Sequence, residues 1–183
     1  MIPQLVLLIP LAFLQGRGDD IPRIEEQSGE YSLRLPSQIR TAIRNYDSAF
    51  VCWQLDEYDN FIRQTYEPNP HQLPYAIIGD FNGDGKDDVI LHGHNHANEI
   101  LIAILSVDAA YSLMELRRSE DSDSTFKPIP DLLTFVAKGT IVHSFDLEDS
   151  LKLNTDAFKW GVEKGSSVWY FENGKFAQFI TGD

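Results

Sequence analysis

Apolar positions recur with two different periods along this chain, and the change of period divides it. In the first third the spacing is helical. Leu35, Ile39, Ala42, Ile43 and Tyr46 fall at i, i+4, i+7, i+8 and i+11, one face of a helix. Pro36 stands at its start, where a missing N–H is tolerated, and Arg40 and Arg44 fall on the opposite face. Leu55, Tyr58, Phe61 and Ile62 predict the buried side of a second, shorter helix over 57–65, with Asp56 as its N-cap. Ahead of both, Tyr31, Leu33 and Leu35 alternate as in a short strand. Residues 19–30 are polar and without period, a flexible lead-in, and residues 66–74 hold three prolines, an irregular connector.

From residue 75 the period becomes that of strands. Strands are expected over 75–79, 88–94, 99–107 and 111–117, then a long polar loop over 118–131. Residues 132–137 and 140–145 read as a pair turning at Lys138-Gly139, and 157–163 as a further strand. Residues 167–172 and 175–181 flank Asn173-Gly174, the strongest short hairpin signal, because both central residues tolerate positive φ. Residues 146–154 show no period, and no repeat of 20 to 50 residues recurs, which argues against a propeller or solenoid within this chain. The pattern predicts an α+β fold: N-terminal helices followed by an antiparallel meander sheet of about seven strands.

Composition adds bounds. The 183 residues carry a net charge of −13, a surface that repels phosphate backbones and anionic lipid, so nucleic-acid and membrane-surface partners are disfavoured. Residues 2–14 are an apolar run too short to span a bilayer and of the length of a signal-peptide core, with Gly16 and Gly18 placed before a cut at Asp19. The expected organisation is a signal peptide over 1–18, the lead-in, and a single domain over 31–183, secreted or periplasmic. One cysteine, Cys52, excludes an intramolecular disulfide, and its apolar surroundings read as buried filler.

The strongest chemical signal lies in 80–88, between two apolar runs. Asp80, Asn82, Asp84 and Asp88 occupy positions 1, 3, 5 and 9, Gly85 follows the third donor, and Lys86 at position 7 can offer its carbonyl. Hard cations take six to eight oxygens from carboxylates, amides and carbonyls, and this spacing turns such groups toward one centre. Three clustered carboxylates would otherwise repel one another. Calcium is the expected cofactor, in a structural role. An EF-hand is excluded, because position 12 is Leu91 and the loop runs into Val89-Ile90-Leu91, a strand.

The stretch Ile-Gly-Asp-Phe-Asn-Gly-Asp-Gly-Lys-Asp-Asp-Val-Ile-Leu resembles the calcium loop of the VCBS and FG-GAP repeats, a group that includes the integrin α-chain propeller. In those families the loop joins two strands and binds calcium, in tandem copies; here it occurs once. The resemblance implies side-chain ligation by Asp80, Asn82, Asp84 and Asp88 and carbonyl ligation by Lys86. The chain also resembles a group of small exported bacterial proteins with one such loop and an aromatic C-terminal hairpin. That likeness implies a calcium-stabilised single domain and no activity.

His92, His94 and His96 alternate in His-Gly-His-Asn-His, which on a strand places them on one face and offers a second metal site for zinc or copper, with His143 as a further ligand. The competing reading is that Asn95 starts a turn and the histidines are ordinary polar residues. Trp53, Trp160 and Trp169, with Tyr170 and Phe171, are either core or the lining of a glycan or peptide surface. No Gly-x-Ser-x-Gly, Walker or dinucleotide pattern occurs. The leading expectation is an exported calcium-binding domain, structural or binding in role, with a protein or glycan partner. The alternative is a metal-dependent hydrolase built on the three histidines.

Overall fold

The computed structural model describes residues 20–120, 131–161 and 166–181, with only the backbone of Glu120. The expected signal peptide lies outside the described residues, as does most of the expected loop over 118–131. In chain order the elements are β1 (Arg23–Gln27), β2 (Glu30–Arg34), α1 (Ser37–Tyr46), β3 (Val51–Cys52), a 3-10 turn (Leu55–Glu57), α2 (Asn60–Thr65), β4 (Gln72–Leu73), β5 (Ala76–Gly79), β6 (Asp88–His94), β7 (Asn98–Val107), β8 (Ala110–Glu120), β9 (Leu133–Val136), β10 (Ile141–His143), β11 (Ser150–Lys152), β12 (Ala157–Trp160), β13 (Ser167–Glu172) and β14 (Lys175–Ile180).

Strands take 50% of the residues and helical segments 13%, so the expected α+β fold of N-terminal helices followed by a meander sheet is corrected to a mostly β fold of several antiparallel sheets. The helices are too short to form a layer of their own: α1 has 10 residues and α2 has 6. Asp59, not Asp56, caps α2, accepting the Ile62 N–H at 2.8 Å. Among the described residues the first elements are also strands. Within the stretch read as a lead-in, Ser28 and Gly29 adopt positive φ (57° and 86°) and turn β1 back on β2.

The second reason lies at the other end. The central sheet runs β4-β5-β6-β7-β8, with β3 beside β6 where β5 has ended. The later strands do not extend it. They form a separate sheet in the order β14-β13-β12-β9, plus the β10–β11 hairpin. The expected pairing about Lys138-Gly139 is absent: β9 pairs with β12 and β10 with β11. Asn173 and Gly174, with φ of 52° and 80°, do turn β13 into β14 and set Val168 opposite Phe179 and Phe171 opposite Phe176.

Burial explains the layering. Residues 88–93 of β6 and 100–106 of β7 are buried without a break. A strand reads as a continuous apolar run when both faces are covered. On one face Ile78, Val89, Leu91, Ile100, Ile102 and Ile104 pack with Ile24 of β1, Leu33 of β2 and Ile39 of α1. On the other, Ile77, Ile90, Leu101, Ala103 and Leu105 meet Leu133, Phe158, Trp160 and Trp169 of the four-stranded sheet. Ala157 and Val168 on the far side of that sheet carry Val142 and Leu151 of the β10–β11 hairpin. The result is four layers, and each Ile or Leu fully buried between them contributes about 1.5–3 kcal/mol.

Candidate metal centre

The loop that joins β5 to β6 leaves the core at Asp80 and returns at Asp88, which pairs across the strands with Gly79. Gly83 and Gly85 carry φ of +80° and +81°, which lets successive donors turn inward within so short a span. The side chains are held by the loop's own backbone. Asp80 accepts N–H groups from Gly83 at 2.8 Å and Gly85 at 3.0 Å. The Asn82 amide oxygen accepts from Asp84 N–H and Asp84 Oδ1 from Lys86 N–H, both at 2.9 Å. Asp88 is fully buried and accepts from the N–H groups of Phe81 (2.9 Å), Asn82 (3.1 Å) and Ser106 (2.6 Å).

Two residues outside the loop complete the arrangement, and sequence reasoning missed both. Ser106, near the end of β7, touches three of the four side-chain donors. Besides its N–H to Asp88, its hydroxyl donates to Asp84 Oδ2 at 2.7 Å and its carbonyl accepts from Asn82 Nδ2 at 2.6 Å. Asp156, before β12, accepts the N–H groups of Asp80 (3.0 Å) and Lys138 (2.9 Å), and its own N–H donates to the Asp80 carbonyl at 3.1 Å. A serine closing an apolar strand is a weak signal for Ser106, and no spacing connects Asp156 to the loop.

The electrostatics are one-sided. No ion pair among the described residues involves Asp80, Asp84, Asp87, Asp88 or Asp156. The Lys86 ammonium donates to the Asp108 carbonyl instead. Burial pushes the Asp88 carboxyl up to about 6 against the pull of its N–H partners. Burial also raises Asp87; the nearby His71 opposes that shift, and Asp80 and Asp156 add to it. Ionised carboxylates gathered in this way are relieved by a cation.

The donor types in the loop, carboxylates with an amide and a carbonyl, suit a hard cation in kind. Among the described residues no group of three or more His, Cys, Asp or Glu side chains is placed to hold a metal, so a cation would draw on the Asn82 amide and the Lys86 carbonyl as well as the carboxylates. A carboxylate offers about four acceptor positions. The bonds above use two on Asp80, two on Asp84 and three on Asp88, leaving acceptor capacity on each.

The histidines are dispersed. His92 is fully buried facing the four-stranded sheet, with Nε2 at 2.9 Å from Glu99 Oε1 and its ring between Trp53 and Trp160 at 6.2 and 5.8 Å. Its Nδ1 has no hydrogen-bond partner among the described residues. His94 stacks on Trp53 at 4.0 Å, with Nε2 3.9 Å from Glu57. His96 is exposed in the turn that Asn95 closes by accepting from Ala97 and Asn98 N–H, and His143 is exposed on β10 in the outermost layer. Glu99, which also accepts from Ser119 at 3.1 Å, is held below the usual carboxylate range chiefly by its bond to His92. Trp53, Trp160 and Trp169 are buried at 3%, 7% and 5% exposure and serve as core. Burial lifts the Cys52 thiol to about 12, above the range of activated thiols. No family model, curated protein or solved structure matches this chain.

Proposed function

We propose that this chain is an exported calcium-binding β domain whose role is structural or binding rather than catalytic, with a protein or glycan partner. The side chains of Asp80, Asn82, Asp84 and Asp88 and the carbonyl of Lys86 hold the ion. The observation that carries the reading is a turned, glycine-bent loop of oxygen donors whose carboxylates have no ion-pair partner among the described residues. The likeness to the VCBS and FG-GAP loop supports it. The ion would neutralise the loop and stiffen the β5–β6 turn against β7 through Ser106 and against the second sheet through Asp156.

Extracellular calcium modules bind at about 10⁻⁴ to 10⁻³ M. At about ten to a hundred times that dissociation constant, binding stabilises by about 1.4–2.7 kcal/mol, a rise in Tm of about 3–10 °C for a chain of this size. The test is thermal unfolding of the purified chain in EDTA and in excess calcium, with metal analysis alongside. Asp84→Ala should lower Tm and abolish the calcium response. Equal melting in EDTA and calcium, or stoichiometric zinc in place of calcium, defeats the reading.

A further inference from the structure

The outermost layer ends in an unusual tip. Between β10 and β11, Phe145 and Leu147 are 65% and 74% exposed. Single exposed apolar residues are ordinary, but these two are fixed in place. Ser144 N–H donates to the Asp149 carbonyl and Leu147 N–H to the Ser144 carbonyl, both at 3.0 Å. The Ser144 hydroxyl binds Asp146 and accepts from Asp149 N–H, and Asp146 accepts from Glu148 N–H at 3.1 Å. Leu147 is held at φ 61°, a conformation that side chains with a Cβ rarely adopt. The tip is a stiff knob of two apolar side chains flanked by the carboxylates of Asp146, Glu148 and Asp149.

The opposite outer layer carries a surface of matching character. A cleft of about 470 Å³ lies between the β1–β2 hairpin and the start of α1, with Ile21 and Leu35 supplying apolar wall and Arg23, Arg34 and Arg40 supplying charge. Arg23 and Arg34 are cross-strand partners on the outward face and share Glu25. Arg40 donates to the Leu35 carbonyl at 2.7 Å and has no carboxylate partner among the described residues. Asp20 sits at the rim. In a chain of net charge −13 this is a local concentration of cations.

We infer that the Phe145–Leu147 tip of one copy docks in the arginine cleft of a second copy. Charge and polarity match on both sides, and the carboxylates of the tip set it against an anionic lipid surface. The two surfaces lie on outer layers separated by both sheets, so one copy cannot satisfy both within itself. The contact is head-to-tail, and such contacts add copies in rows or rings rather than closed pairs.

Sedimentation velocity of the full chain, its first 18 residues left as the cell leaves them, tests this between about 10 μM and about 1 mM, the range where a weak contact becomes populated. The sedimentation coefficient should rise with concentration, and the rise should disappear in about 1 M NaCl, where charges more than about 3 Å apart are screened. Two variants separate the halves. Phe145→Ser with Leu147→Gly removes the apolar knob while glycine keeps the left-handed turn. Arg40→Glu removes the unpaired cation and leaves α1 with a residue suited to its first turn. Each variant alone should remain monomeric. Mixed in equal amounts they offer one intact knob and one intact cleft, and should form a species of twice the monomer mass and no larger. A monomeric wild type, a mixture that stays monomeric, or an assembly insensitive to both variants overturns the inference.

Discussion

Glu99 links the two faces of the histidine question. Its carboxylate holds buried His92 on one side and Ser119 on the other, and its pKa is depressed from an ordinary 4.5. A carboxyl whose folded-state pKa lies below the unfolded one contributes stability that is fully present above the unfolded value and is lost as pH falls through the folded value. The expected result is a Tm that declines on acidification below pH 4.5, with Glu99→Gln giving a lower Tm at neutral pH but a shallower decline. Parallel acid profiles for the two proteins remove the claim. At this scale the sequence was readable where donors are close together. That the loop gathers Asp80, Asn82, Asp84 and Asp88 through its own backbone is foreshadowed by their spacing. Ser106 and Asp156 are not foreshadowed, because their bonds to that loop span 18 to 24 residues and 76 residues respectively, and nothing local marks them.

Gly93, between His92 and His94, is where one element depends on another. β3 reaches β6 only at Val51–His94 and Cys52–Gly93. A Cβ on Gly93 would lie 2.2 Å from the Val51 carbonyl and 2.7 Å from the Phe50 ring. Gly93→Ala must push β3 off the sheet, at about 1–3 kcal/mol. Urea unfolding checks this, and a loss under about 1 kcal/mol, the scale of an ordinary surface change, sinks it. Element type was legible wherever a single period ran through a segment, as for α1, β5, β6 and β7. Pairing was less so. Asn173-Gly174 and Lys138-Gly139 present similar turn chemistry, yet only the first closes a hairpin. At Gly139, with φ 86°, the chain steps from one layer to the next, because Leu133 belongs under Phe158 and Val142 belongs outside Val168. Which strand accepts a neighbour is decided by burial across layers, and that information sits in no one segment. Ser28-Gly29 was a turn signal too, masked because the strands it joins are mostly charged and polar.

At the scale of the molecule, the candidate cation loop is also a junction between sheets. Asp156 bonds simultaneously to the first residue of the loop and to Lys138 beyond β9. Asp156→Ala leaves two N–H groups without their acceptor, so a loss of about 2 kcal/mol is expected, together with a smaller calcium-dependent rise in Tm because Asp80 is no longer held. Unchanged stability and an unchanged calcium response contradict this. The mostly β class escaped the sequence pattern because the two early helical periods are real but short, at 10 and 6 residues, and the mostly polar β1–β2 hairpin before them reads as irregular chain. The two-sided burial of β7 carries a further cost for the chain before it folds. Ile100 to Leu105 is six consecutive uncharged apolar residues, strongly β-forming and without proline. Until the hairpin, α1 and the second sheet close over it, this run is a template for intermolecular strand stacking. Glu99 on one side and Ser106-Val107-Asp108 on the other act as its gatekeepers, with charge at each flank. The segment that is most deeply protected in the finished protein is therefore the one whose exposure during synthesis makes the chain most prone to aggregate.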